Sequence, residues 1–214
     1  MKRLLSVIFA VALMLSVLTV SIGLPIYIRP FYYAHIDGLE LERSGFTARQ
    51  IRTAYDQVLD YLTLPHQEFG TGELVYSRQG KAHFQDCKVL FDLNAIVLMA
   101  STLCAGVIFV LRRRLRLPSL RPAAFCAGIG SLTLPIVIGS LAALDFEKAF
   151  VIFHRIFFPG KSNWIFDYRT DQIILVLPQE FFRNCAIFIG TGLIALSLGL
   201  ILLSRPRNNT SRLP

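Results

Sequence analysis

Four stretches without a charged side chain, 4–28, 93–111, 122–144 and 184–204, govern what this 214-residue chain can fold into. Each is about as long as the roughly 20 helical residues needed to cross a hydrocarbon core of about 30 Å. In that medium backbone groups must satisfy one another, so an uncharged run of this length is read as a helix. With 54% hydrophobic and only 17% charged residues, the chain falls outside the range of ordinary soluble domains. The expected architecture is an all-α membrane protein with four transmembrane helices and a small helical cap contributed by 29–92 and 145–183. The whole of 1–214 is treated as a single membrane domain.

The basic residues set the orientation. Lys2 and Arg3 precede the first run, Arg112, Arg113, Arg114, Arg116 and Arg121 crowd the short second loop, and Arg205, Arg207 and Arg212 mark the tail. None of these segments holds an acid; all 14 Asp and Glu lie in the other two loops, with the remaining 12 of the 22 Lys and Arg. Short cytoplasmic loops carry the Lys/Arg excess, so both termini are placed inside and both long loops outside. The net charge of +8 is then a topology signal and points to no nucleic-acid partner. The first apolar run exceeds the length of a secretory h-region and is read as an uncleaved helix.

No run contains Asp, Glu, Lys, Arg or His, which argues against an ion-coupled transporter or a charge-lined channel. The third run is rich in small residues (Ala127, Gly128, Gly130, Ser131), which suit close helix packing in lipid. Cys104 and Cys126 fall inside runs. Cys87 and Cys185 lie near the outer side, where a disulfide is chemically permitted, but their positions in sequence do not fix the distance between them. No spacing typical of a zinc site occurs, and neither GxSxG nor HExxH is present.

The chemistry is therefore expected in the loops. Thr47 and Gln50 form a capping box with Phe46 as a staple, opening a helix whose apolar face is Ile51, Tyr55, Val58, Leu59 and Leu62; Arg49, Arg52, Asp56 and Asp60 are placed toward water. Phe31, Tyr32 and Tyr33 fit the headgroup level. Residues 73–77 fit a short extended piece. His83 precedes the second run, with Asp86 three residues on and able to hold one imidazole nitrogen. After the third run, Phe146, Phe150, Phe153 and Phe157 recur at helical spacing around His154, followed by the Pro159-Gly160 turn, Trp164, Asp167 and Asp171. All four histidines fall on the expected outer side. A neutral imidazole among rings is a competent proton carrier near pH 7.

Two blocks carry a resemblance: SRQGKAHFQDCKVLF at 77–91 and FHRIFFPGKSNWIFDYRTDQIILVLPQEFF at 153–182. Together with the four-run layout they resemble the lipoprotein intramolecular transacylases, four-helix membrane proteins of Gram-positive bacteria. Cys87 and Tyr168 stand where that pattern has Val and Pro. The resemblance implies an intramolecular acyltransferase of the bacterial cell membrane, acting at its outer face without a cofactor. Its substrate would be a diacylglyceryl-modified lipoprotein, held with membrane lipid, whose sn-2 acyl chain moves onto the amino group of the N-terminal cysteine to give the lyso form. His83 is then expected as general base with Asp86 orienting it, and His154 as donor to the oxyanion or leaving oxygen; the two histidines can exchange these roles. Phe150, Phe157, Phe158 and Trp164 would wall the site, and Asp167 and Asp171 of the same block are expected to orient or line it. The competing expectation is a non-catalytic membrane module whose cap binds a lipid or a partner protein.

Overall fold

The computed structural model describes residues 2–112, 114, 116 and 118–205. Arg113, Arg207 and Arg212, used above for orientation, lie outside the described residues. Among the described residues eight α-helices follow one another: α1 (Lys2–Tyr27), α2 (Arg29–Gly38), α3 (Ala48–Thr63), α4 (Arg78–Leu111), α5 (Arg121–Leu144), α6 (Phe146–Phe157), α7 (Ile173–Val176) and α8 (Gln179–Ser204). A 3-10 turn at Leu41–Ser44 precedes α3. No strand occurs among the described residues. α1, α4 and α8 are long and apolar enough to cross a membrane; α5 is the helix that contains the third apolar run.

The chain divides into two compact units. One comprises 1–21, 96–140 and 190–214. Within it, Phe9, Ala12, Ala105, Ile108 and Leu120 pack together, and the Ser16 hydroxyl meets that of Ser101 at 2.9 Å. The small residues of the third run are used as expected: Ala127 is fully buried. A Cβ on Gly128 would lie 2.7 Å from Ile201, and one on Gly130 2.8 Å from Met14. At Gly128 the backbone of α8 is also close, with the Ser197 carbonyl 3.1 Å away, so a larger residue has no room there, whereas at Gly130 the neighbour is the flexible end of Met14.

The second unit, 22–95 and 141–189, holds the loops and both candidate histidines. Its organising helix is α3, which starts at the capping box of Thr47 and Gln50 and ends before Leu64-Pro65, where proline cannot continue a helix. Ile51, Ala54, Tyr55, Val58, Leu59 and Leu62 are buried along one face, against Tyr32 and Ile36 of α2 and Ile173 and Val176 of α7. Tyr32 departs from the headgroup placement. It is fully buried, stacks on Tyr55 at 3.7 Å, meets Phe181 edge-on and donates its hydroxyl to the Val176 carbonyl at 2.7 Å. An aromatic following an apolar run can serve either a membrane interface or a protein core. Here α2 turns the ring under α3, and the buried hydroxyl finds a carbonyl partner.

Two further expectations are corrected. Asp56 and Asp60 do not simply face water: both pair with Arg29, and Asp56 also accepts the Tyr33 hydroxyl at 2.8 Å. The arginine directly after the first apolar run is thus neutralised by the polar face of α3. Residues 73–77 form no strand. Val75 instead exchanges two bonds with Gln172, accepting from its backbone N–H at 3.0 Å and donating to its side-chain oxygen at 2.8 Å.

Replacing Tyr32 by Phe should remove one buried hydrogen bond and cost about 1 kcal/mol. Tyr32→Ala, which also vacates the ring site, should cost about 3–5 kcal/mol. Thermal unfolding of the purified protein in detergent tests both the order and the gap.

Candidate functional site

α4 has 34 residues, about 51 Å at the helical rise, whereas its uncharged stretch begins only at Leu93. His83, Asp86 and Cys87 therefore belong to the part of the helix that precedes the apolar run. The start of α4 is fixed by three short-range devices. The Ser77 hydroxyl accepts the Gly80 N–H at 2.9 Å, as an N-cap should. Asp171, only 4% exposed, accepts the Ser77 N–H at 2.8 Å, placing a carboxylate at the positive end of the helix. Gly80 makes room for it, since a Cβ at that position would run into the Asp171 carboxylate. Asp171 is itself set by Asp167, whose carbonyl accepts the Asp171 N–H at 2.8 Å and whose side chain closes a turn on the Arg169 N–H at 2.9 Å. The two aspartates of the second block thus position the helix that carries His83.

α6 presents His154. Its N-cap, Asp145, accepts the Lys148 N–H at 3.0 Å. Past its end, Gly160 adopts φ +73°, the left-handed conformation that favours glycine. The chain then turns back, with the Trp164 indole N–H donated to the Lys161 carbonyl at 3.0 Å.

The two imidazoles meet. His83 and His154 are each 7% exposed, with ring centroids 5.8 Å apart. Trp164 stacks on His154 at 4.6 Å, Phe150 tilts against it at 4.2 Å, and Phe158 touches both histidines, at 5.0 Å from His83 and 5.7 Å from His154. Phe157 is not part of this wall; it is exposed and packs on Phe153. Its place is taken by Phe153, edge-on to His154 at 5.4 Å, and by Phe166, edge-on to His83 at 5.5 Å.

The ring nitrogens have distinct partners. His154 Nδ1 lies 2.7 Å from the Phe150 carbonyl, which can only accept, so Nδ1 carries the proton and Nε2 is left with the lone pair in the neutral ring. His83 Nε2 lies 3.4 Å from the Cys87 sulfur, and His83 Nδ1 is buried without a partner. Burial, helped by the neighbouring His154, lowers the His83 pKa to about 4. Burial also lowers that of His154, opposed there by its bond to the Phe150 carbonyl. The Cys87 thiol is pushed up to about 12 by burial and stays protonated.

Asp86 does not make the direct imidazole bond expected of it. Its oxygens receive Lys161 Nζ at 2.5 Å and Asn163 Nδ2 at 3.0 Å, clamping the loop after α6 onto α4. Its influence on His83 is electrostatic, opposing the fall in the imidazole pKa. Lys161 and Asn163 are absent from the sequence expectations; nothing in their spacing relates them to a residue 75 or 77 positions earlier. Among the described residues no group of His, Cys, Asp and Glu is arranged to hold a metal ion. Cys87 and Cys185 are both free thiols.

With three helices among the described residues long and apolar enough to span a bilayer, and two buried imidazoles facing each other among aromatic rings, the chain belongs to the class of multi-pass membrane proteins. Residues 7–182 match the model of the lipoprotein intramolecular transacylase Lit family, and the chain is a member of that family. It is similar to the solved structure of the membrane-integral lipoprotein intramolecular transacylase Lit from Bacillus cereus, at 26% identity and TM-score 0.88, over 96% of this chain and 94% of that one. Structures of the same Bacillus cereus protein with a histidine replaced by arginine or by alanine match at TM-score 0.81. An uncharacterised protein of Aquifex aeolicus is 26% identical over 137 residues, 61% of this chain. That match spans 59% of the relative's length.

Both histidines favour the neutral form when folded, whereas an unfolded imidazole titrates near 6.5. The unfolded chain therefore binds more protons than the folded one between pH 6.5 and about 4, the folded value of His83. Their contribution to stability is complete above pH 6.5 and is lost as pH falls through that window. Unfolding temperature is expected to drop by about 2–4 °C for each kcal/mol lost. In His83→Gln the slope between pH 6.5 and 4 should flatten.

Proposed function

We propose that this protein is an O-to-N acyltransferase of the bacterial cell membrane that moves the sn-2 acyl chain of a diacylglyceryl-lipoprotein onto the amino group of its N-terminal cysteine. The observation that carries the reading is the pair of buried imidazoles 5.8 Å apart among aromatic rings. Membership of the transacylase family supports it. In the same reading α5 is the fourth span, both termini face the cytoplasm, and the histidine site works at the outer face, where a lipoprotein's modified cysteine is presented.

The reaction requires no enzyme nucleophile. Attack of the amine on the ester carbonyl closes an eight-membered ring through N, Cα, Cβ, S, two glycerol carbons, the ester oxygen and the carbonyl carbon. Holding those ends together is the kind of positioning worth about 7–11 kcal/mol. What remains is proton transfer and stabilisation of charge on the carbonyl oxygen.

The ring nitrogens favour one division of labour, the reverse of that expected first. His154 has its Nδ1 proton committed to the Phe150 carbonyl, so Nε2 is a lone pair able to take the proton from the attacking amine. The Trp164 face stacked on the ring would stabilise the resulting imidazolium. His83 has the more difficult charging reaction, with a pKa of about 4, which suits a group that works while neutral. The protonated Cys87 thiol beside Nε2 can donate to it, which leaves the proton on the unpartnered Nδ1 and makes that atom a donor to the oxyanion. As the tetrahedral intermediate collapses, the C–O bond to glycerol breaks and His154 Nε2 returns its proton to the departing oxygen. The amide forms and the sn-2 hydroxyl is freed.

His154→Ala and His83→Ala should each reduce conversion of a diacyl lipopeptide to its lyso form by about 10²–10⁴-fold. Mass spectrometry of the lipopeptide's N-terminus reads the acyl shift directly. Full activity in either variant, with the protein folded, would sink the reading.

A further inference from the structure

Beside the histidines the site holds a second orphaned polar atom. Asn163 donates its Nδ2 to Asp86 at 3.0 Å. That orientation is dictated by chemistry, because an ionised carboxylate can only accept. The other end of the amide, Oδ1, is consequently a fixed acceptor, and it is buried without any partner. Leaving a buried amide oxygen unpaired is costly, so an arrangement that keeps it implies a donor from outside the protein.

The position of this oxygen narrows what the donor is. Asp86 lies three residues beyond His83 on α4, and side chains at that spacing are neighbours, with Cβ atoms about 5–6 Å apart. Asn163 is held on Asp86, and the next residue, Trp164, stacks on His154 at 4.6 Å. The loop therefore holds Asn163 beside the histidine pair, next in sequence to the ring that covers His154 and bonded to a residue one turn from His83. Lys161, bound to the other Asp86 oxygen, secures the same loop.

We propose that Asn163 Oδ1 accepts a hydrogen bond from the α-amino group of the substrate's N-terminal cysteine and aims its lone pair at the ester carbonyl. This rests on the acyl-transfer reading and adds a receptor for the nucleophile, which the histidine pair alone lacks. One amine hydrogen goes to Asn163 Oδ1 and stays on nitrogen; the other is the proton removed during attack. Asn163 thereby favours peptides that carry the α-amino group over des-amino forms.

The test uses full-length protein in detergent and two dialkylglyceryl cysteinyl peptides, ether-linked at sn-2 so that no acyl group can move. They are identical except that one carries the α-amino group and the other has hydrogen in its place. Wild type should bind the amino peptide about tenfold more tightly, the ratio expected of one buried hydrogen bond. Asn163→Leu should bind both alike, with the des-amino peptide bound as well as by wild type. Lys161→Met loosens the clamp but keeps the Asn163 oxygen, and should retain the preference. If Asn163→Leu does not purify as a folded protein, Asn163→Ala takes its place. The proposal is overturned if wild type shows no preference, if the Asn163 variant keeps it, or if Lys161→Met loses it as completely. Conversion of the corresponding diester peptide by wild type is measured in parallel. Its absence would count against the acyl transfer itself, whereas conversion together with an unaltered preference in the Asn163 variant would count only against the amine receptor.

Discussion

The buried carboxylate of Asp171 is the contact on which the candidate site depends. It accepts the backbone N–H of Ser77, occupies space that only a glycine at position 80 leaves open, and sits at the positive end of α4. Through it, the loop between α6 and α7 fixes where α4 begins. Since α4 then runs helically through position 83, fixing its first turn also fixes the azimuth of His83. A one-residue slip of that start would rotate the imidazole by about 100° about the helix axis, away from His154. The N-cap of Ser77 and the bonds between Val75 and Gln172 restrain the same junction from either side.

A second clamp acts about two turns further along α4. Asp86 receives Lys161 and Asn163 and draws down the turn whose tryptophan covers His154. The two aspartates thus divide the work: Asp171 sets the helix and Asp86 sets the loop that faces it. Neither bonds to an imidazole among the described residues. The histidines are governed instead by burial, by the Phe150 carbonyl and by the Cys87 thiol. The result is a pair of neutral rings with different free atoms, which is what an acyl shift needs if one ring takes a proton and the other gives a hydrogen bond.

Much of this was legible in the residues. The apolar runs anticipated the long helices, the Thr47 and Gln50 pair anticipated the start of α3, and the recurrence of rings around His154 anticipated an aromatic wall. What escaped had a common origin. Tyr32 after an apolar run is compatible with a headgroup belt or with a core, and only the tertiary position of α3 and α7 selects the core. Asp86 at three residues from His83 suggested a local bond, but a loop 75 residues away supplied stronger partners. Phe157 has the correct helical spacing yet points out, because a helix presents only part of its circumference to the site, and Phe153 and His154 occupy that part. Asn163 carried no signal at all in one dimension, since its importance comes from which end of its amide the Asp86 carboxylate leaves free.

The stacking of Trp164 on His154 has a practical consequence. This is the chain's only tryptophan, and its indole lies against an imidazole whose charge changes with pH. An imidazolium held over an indole face withdraws electron density and quenches its emission, whereas the neutral ring does so far less. The intrinsic fluorescence of the protein is consequently a single-site optical readout of that histidine's protonation, free of background from any second indole and obtained without a label.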